Sequence, residues 1–408
     1  MSEPDLRPVP AEEFDAFAAV VERAFGEEAT PEDLERERAL FEPDRSLGAY
    51  LGDELVGGTW ALSLTMSVPG GLLPVAGVTG VGVSSVHRRR GVLTALMHRQ
   101  LRDVRERGTE AVAALWASEA AIYGRYGYGL AAPRAVLRVE KAHAAFRGRP
   151  RDDVRLRLVE PGPKQLGAIW DTVLPTRPGC VARDEGRWQW WLDDLPSRRH
   201  GASPLVAVLA EGDEPEGYVL YRTKPDWGDT GPAGEVRVHE LVSATPRARE
   251  ALWRHVLHLD LMASTEWWNA PPDEPLPHLL ADPRRADLRL RDGVFVRLVD
   301  VPRALSGRRY AAPVSVTFDL VDATCPWNSS RWHLSADGDG DGASCVRTDR
   351  PADLVALSAA ELGAVFLGGP SLAVLAAADR VDEHAPGAVV AASRAFAGDL
   401  APWCPDVF

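Results

Sequence analysis

The chain has 408 residues, 45% of them hydrophobic and 26% charged, enough for two or three soluble domains with sizeable cores. Its formal net charge of -13 argues against bulk binding to nucleic acid or anionic membranes. No stretch approaches the roughly 20 apolar residues of a membrane span, and the acidic start "MSEPDLRPVPAEEFDAF" lacks a signal-peptide pattern. Four scattered cysteines (Cys180, Cys325, Cys345, Cys404) form no CxxC pair and suggest neither a disulfide framework nor a zinc site. A cytoplasmic protein without a metal is expected.

In chain order, "PAEEFDAFAAVVERAFG" has the apolar spacing of a helix, and "PEDLERERALF" reads as a second one opened by Pro31. Strand signals follow in "SLGAYLG", "ELVGGTWALSLTMSV" and "LLPVAGVTGVGVSSV". Next come the helix "GVLTALMHRQLRDVRERG", the buried strand "EAVAALWAS", and "EAAIYGRYGYG", a short helix broken by Gly127 and Gly129. The polar stretch Glu140 to Val154 places a boundary near residue 150.

The second block repeats this order. Helices "PKQLGAIWDTVL" and "RWQWWLDDL" precede strands "SPLVAVLA", "GYVLYRT" and "EVRVHELVSA", then the helix "PRAREALWRHVLHLDLM" and the strand "STEWWNAPP". "VSSVHRRRGVL" (Val83 to Leu93) aligns without gaps on "VSATPRAREAL" (Val242 to Leu252) at the same strand-to-helix junction. Two copies of one domain are therefore expected. A third block near residue 300 offers strands, a hairpin and a helix without the repeat.

The cluster Arg88-Arg89-Arg90-Gly91 has two readings: a salt-bridged surface turn, or a cradle for a polyanion. Glycine admits close backbone approach, and a helix start offers free N–H groups and a positive dipole end to phosphate. The second copy has Glu250 in place of Gly91, and a carboxylate there would repel an anion. One copy thus reads as live and the other as dead. "GVGVSS" lacks the third glycine of a dinucleotide fingerprint, which sets aside a nicotinamide site.

Strand, "HRRRGVL", helix, strand and short helix resembles the acetyl-CoA motif of the GNAT N-acetyltransferases, with Leu93 where that motif has a small residue. The whole chain is similar to the enhanced-intracellular-survival (Eis) family of these enzymes. It shares "HRRRG", "ASEAAIYGRYGYG", "GYVLYR", "DEPLPHLLAD" and a terminal Phe. The resemblance implies an α/β fold of two tandem GNAT-like domains, the second degenerate, plus a C-terminal sterol-carrier-protein-like domain. The expected segments are 1–150, 151–299 and 300–408.

It further implies acetyl-CoA as co-substrate, held by Val81, Gly82, Val83, Arg88, Arg89, Arg90, Gly91, Val92, Leu93, Thr94, Ser118 and Glu119. Tyr123 matches the family's general acid; Tyr126 and Tyr128 lie close by, and spacing alone does not choose among the three. The family's base is the terminal α-carboxylate, here that of Phe408, which "LAPWCPDVF" would anchor through Trp403 and stiffen with prolines. Val407 stands where the family often has an acid. The expected substrates are amines of cationic small molecules, aminoglycoside-like or lysine-type, with Glu27 and Glu28 near the acceptor. A homohexamer is the family's assembly. The rival reading is a non-catalytic carrier of apolar ligands in the third domain.

Other constellations are weaker. "DGDGDG" (Asp337 to Gly342) has Thr348 where a calcium loop needs its twelfth-position acid, and reads as a hairpin turn. His255 and His258 lack a third ligand. Trp188, Trp190 and Trp191 read as core or interface packing before a ligand cage.

Overall fold

The apolar stripe of the first helix sets the frame. In the computed structural model, which describes residues 4–28, 30–151, 153–338 and 342–408, α1 (Phe14–Phe25) buries Phe14, Phe17, Ala18 and Val21 and stops at left-handed Gly26. Strand β1 (Asp5–Arg7) precedes it, and α2 (Pro31–Arg38) follows, opened by a Thr30–Asp33 capping box. Then come β2 (Ser46–Leu51), β3 (Glu54–Val68), β4 (Gly71–Val83), α3 (Val92–Arg107), β5 (Val112–Trp116), α4 (Ala120–Tyr123) and β6 (Gly129–Glu140).

The second block runs β7 (Arg155–Val159), α5 (Pro163–Val173), α6 (Glu185–Leu192), β8 (Val206–Glu211) and β9 (Pro215–Lys224). A minor hairpin of β10 (Trp227–Gly228) and β11 (Gly231–Pro232) leads to β12 (Gly234–Ser243), α7 (Pro246–Leu257), β13 (Met262–Ala270), α8 (Leu276–Leu279) and β14 (Arg289–Leu298). The last block holds α9 (Val301–Ser306), β15 (Val314–Val321), β16 (Ser330–Ala336), β17 (Ser344–Arg347), β18 (Leu354–Ser358), α10 (Ala359–Val365), α11 (Leu372–Ala377), β19 (Asp382–Glu383) and α12 (Ala388–Phe396). β16 and β17 pair antiparallel as the expected hairpin; residues 339–341 of "DGDGDG" lie outside the described residues. Among the described residues, no helix is long and apolar enough to cross a membrane.

Contacts gather the chain into two units. One comprises Met1–Ala132, Gly293–Asp399 and Val407–Phe408, the other Pro133–Asp292 and Leu400–Asp406. In the first, strands run β1-β2-β3-β4-β5-β14, antiparallel except for the parallel β4–β5 pair. In the second, β7-β8-β9-β12-β13-β6 repeats that pattern, with β12–β13 parallel. The expected tandem repeat is present. Each copy takes its sixth strand from the other half of the chain, so these units divide the chain differently from segments meeting at 150 and 300.

The third block belongs to the first unit. Its sheet runs β17-β16-β15-β18-β19. Buried Arg297 on β14 holds Asp322 at 2.6 Å, and α10 lies directly on backbone. A Cβ at Gly129 would fall 1.8 Å from the Ala360 carbonyl, and one at Gly363 would fall 2.2 Å from that of Val296. Gly129 therefore serves this helix contact, whereas Gly127, at φ +81, makes the turn after α4.

Candidate active site

β4 and β5 pair only over Val75–Gly77 against Val112–Ala114, then part company while β4 continues to Val83. The register of β4 on β3 shifts between Gly58 and Trp60, which inserts Gly80 and Val81 as a bulge. Gly80 sits at φ +59, and a Cβ there would meet the Trp60 ring at 2.0 Å, so only glycine fits. Past Gly77, the edge of β4 that faced β5 no longer has a strand partner and can serve a ligand.

The chain then enters α3 through a strained turn. Arg89 has φ +62 and Gly91 φ +83, left-handed values that cost an L residue roughly 1–2 kcal/mol and that concentrate at functional loops. Gly91 caps α3 without a side-chain hydrogen bond. The first N–H groups of a 16-residue helix are thus left for another acceptor. A Cβ added at Gly91 would have no atom within 4 Å, so the space in front of this helix is open.

A cleft of about 740 Å³ lies here. It is lined by Val81, Gly82, Val83, Arg88, Arg89, Gly91, Val92, Leu93, Thr94, Ser118 and Glu119, all expected from the sequence, and by Tyr123. Arg90 is not in the lining. Arg88 lines the cleft but its guanidinium points at protein: Nε donates to the Val83 carbonyl at 3.4 Å and Nη2 to that of Ala24 at 3.0 Å. It ties the end of α1 to the end of β4. Arg89 makes no ion pair among the described residues. Glu27 and Glu28 line a separate groove of about 590 Å³ beside α1, with Glu22 and Leu34, rather than this cleft.

Sequence reasoning missed Ala24, Phe25, His87, Ile122 and Arg125 in the lining, which also includes Tyr126, one of the three tyrosines it had weighed. Arg125 was the recoverable one, since it falls inside "AIYGRYGYG" and adds positive charge. Among the tyrosines, Tyr128 is outside the lining, and its hydroxyl is buried without a hydrogen-bond partner among the described residues. The Tyr126 hydroxyl is 3.1 Å from Thr94 Oγ1. Burial pushes the Tyr123 phenol up to about 12, although a hydrogen bond with Ser118 opposes this. It keeps its proton across the neutral range.

Tyr123 packs in a cluster with Ala76 and Val78 of β4. The Phe408 ring lies against the next residue between them: a Cβ at Gly77 would be 3.3 Å from Phe408 Cδ2. The Phe408 ring therefore lies against β4 at the residue where it separates from β5.

The second copy closes the same features. The Thr245 side chain caps α7 by accepting from the Ala248 N–H at 3.3 Å. Arg247 and Arg249 are taken up by Glu216 and Glu274, and Glu250 pairs with Arg254 at 2.7 Å. Helix terminus and arginines are both satisfied internally.

Residues 5–131 match a family model described as an acetyltransferase (GNAT) domain, 179–298 match another of that description, and 301–405 match a sterol carrier protein domain. An N-acetyltransferase of Streptomyces avermitilis is 46% identical over 99% of both chains. N-acetyltransferase Eis of Mycobacterium tuberculosis is 34% identical over 91% of each. The crystal structure of Eis1 from Mycobacterium abscessus superposes with a TM-score of 0.84 at 34% identity, covering 99% of this chain and 100% of that one. At this identity and coverage, the chain belongs to the Eis family of GNAT N-acetyltransferases.

Proposed function

We propose that the protein transfers an acetyl group from acetyl-CoA to amines of cationic small molecules. The observation that carries this reading is the uncapped start of α3 opening into a cleft that ends at Tyr123. Pyrophosphate suits free N–H groups flanked by Arg89, and the parted strands leave the Val83 N–H as a donor to a thioester carbonyl. The amine nitrogen attacks the carbonyl carbon, a C–N bond forms and the C–S bond breaks. The Phe408 carboxylate takes the ammonium proton, through water, before attack; the Tyr123 phenol gives its own proton to the departing sulfur and regains one from the nitrogen of the new amide.

Release of coenzyme A thiol with a panel of amines tests the activity; cationic amines are expected to support turnover and neutral ones not. Tyr123→Phe keeps the ring and removes the proton. It is expected to lower kcat about 10²–10⁴-fold, the usual worth of a positioned proton donor, with acetyl-CoA affinity unchanged. Near-normal kcat, with Tyr126→Phe inactive instead, would assign the acid to Tyr126.

Acceptor choice rests on charge. With a net charge of -13 and the Glu27–Glu28 groove beside α1, KM for a polyamine should rise with salt above roughly 0.15 M, because the Debye length there is about 8 Å. A salt-independent KM would exclude electrostatic selection.

A further inference from the structure

The hydroxyl of Tyr126 is the part of the cleft wall that packing does not explain. Its ring is buried in a cluster with Met97 and Leu101 of α3. His98 meets it edge-on at a centroid distance of 6.2 Å, and the Arg125 guanidinium lies 5.6 Å from its centre. Phenylalanine would satisfy every one of these contacts. The hydroxyl adds the cost of taking a polar group out of water and meets one partner, Thr94 Oγ1 at 3.1 Å. Thr94 is exposed and could bond to water instead, so the pair adds little to stability.

Both hydroxyls sit where a ligand would meet them. Thr94 is the third residue of α3, inside the first turn whose N–H groups are uncapped, and it lines the cleft together with Tyr126. Threonine within a helix commonly bonds back to the carbonyl four residues earlier. Here its hydroxyl reaches across to Tyr126 and has no other partner among the described residues. The loop that carries Tyr126 is itself closed, by the Gly127 N–H to the Gly124 carbonyl at 3.0 Å and the Tyr128 N–H to the Tyr123 carbonyl at 3.3 Å. Closed loop and packed ring fix the phenol oxygen, and that oxygen in turn fixes the Thr94 rotamer. In the second copy the third residue of α7 is Ala248, which offers no hydroxyl.

A phosphate oxygen accepts hydrogen bonds and donates none. Of the two hydroxyls, the exposed one on Thr94 is the one a phosphate in the cleft would meet. The order that serves it has Tyr126 donating to Thr94 Oγ1 and Thr94 donating to the phosphate, a chain in which each bond strengthens the other. The reverse order would turn a Thr94 lone pair toward the phosphate and repel it.

We infer that Tyr126 is a positioning residue for the cofactor: its hydroxyl orients that of Thr94 toward a phosphate of acetyl-CoA. This rests on the reading of the cleft as the acetyl-CoA site, and it gives Tyr126 a part separate from that of the acid, Tyr123.

Tyr126→Phe keeps the ring and its packing and removes the orienting donor. In the full-length enzyme, Kd for acetyl-CoA read by calorimetry is expected to rise about tenfold, the worth of one hydrogen bond to a charged group. The loss should fall on KM for acetyl-CoA rather than on kcat at saturation. Thr94→Val should do the same, and the double variant should lose no more than Thr94→Val alone. Thr94→Ser, which keeps the hydroxyl, should hold the wild-type Kd. S-acetylpantetheine, a donor without phosphates, separates orientation from a general loosening of the loop: its kcat/KM should be equal in wild type and Tyr126→Phe. Unchanged Kd in Tyr126→Phe, additive losses in the double variant, or an equal loss of kcat/KM with both donors overturns the inference. So does a collapse of kcat at saturation with Kd unchanged, which would assign Tyr126 to proton transfer. A wild type that binds no acetyl-CoA overturns both the inference and the reading it rests on.

Discussion

One glycine added after Phe408 should lower kcat by about 10²–10⁴-fold, the range for a lost positioned base, with acetyl-CoA affinity unchanged. The extension keeps every side chain and moves only the terminal charge, by up to about 3.6 Å. That exceeds the spread of a hydrogen-bond distance, and a misplaced base loses the advantage of a fixed near-attack geometry. Phe408 itself would stay against Gly77, where β4 leaves β5. Amidating the native terminus removes charge without length and should act alike. Tags make the same distinction: a C-terminal tag should abolish turnover, whereas an N-terminal one should not. Full kcat/KM in a correctly folded, C-terminally extended enzyme would transfer the role of base to a side chain, with Glu119 in the cleft the first to test.

The features legible in the sequence are local ones. The apolar spacing of α1, Pro31 at the start of α2 and the Arg-Gly junction before α3 fix their elements through neighbours a few residues away. The repeat was readable because equivalent junctions keep equivalent residues. Exchange of β6 and β14 was not, since nothing within either strand says which sheet it joins. Arg183 donates to Asp406 across 223 positions, so neither residue hints at the other. The short edge strands β1 and β7, with their mostly exposed residues, take their form from pairing rather than pattern. Within the arginine run, the left-handed turn was not legible. Left-handed Arg89 sends its neighbours different ways, Arg88 back to the Ala24 and Val83 carbonyls and Arg90 out of the cleft lining.

Gly91→Glu should abolish acetyl-CoA binding, and the size of that effect separates an anion cradle from a salt-bridged turn. Two costs accompany any side chain at this position. The left-handed backbone at φ +83 penalises every L residue by roughly 1–2 kcal/mol, and the added atoms must find room. Room is present, since a Cβ at Gly91 has nothing within 4 Å. Gly91→Ala therefore carries the backbone cost without the charge and should weaken acetyl-CoA binding only modestly, about tenfold as the equivalent of some 1.4 kcal/mol. Glutamate adds a negative charge in front of free helix N–H groups, where it competes for the same donors and repels phosphate. The second copy supplies the control. Glu250→Ala should create no binding, because Thr245 already caps α7 and Arg247 and Arg249 remain held by Glu216 and Glu274. Calorimetry on the wild type should then count one acetyl-CoA per chain, none in Gly91→Glu and one in Glu250→Ala. Two equivalent sites per chain, or equal affinities in the alanine and glutamate variants at position 91, would show that the arginine turn is not where the phosphates bind.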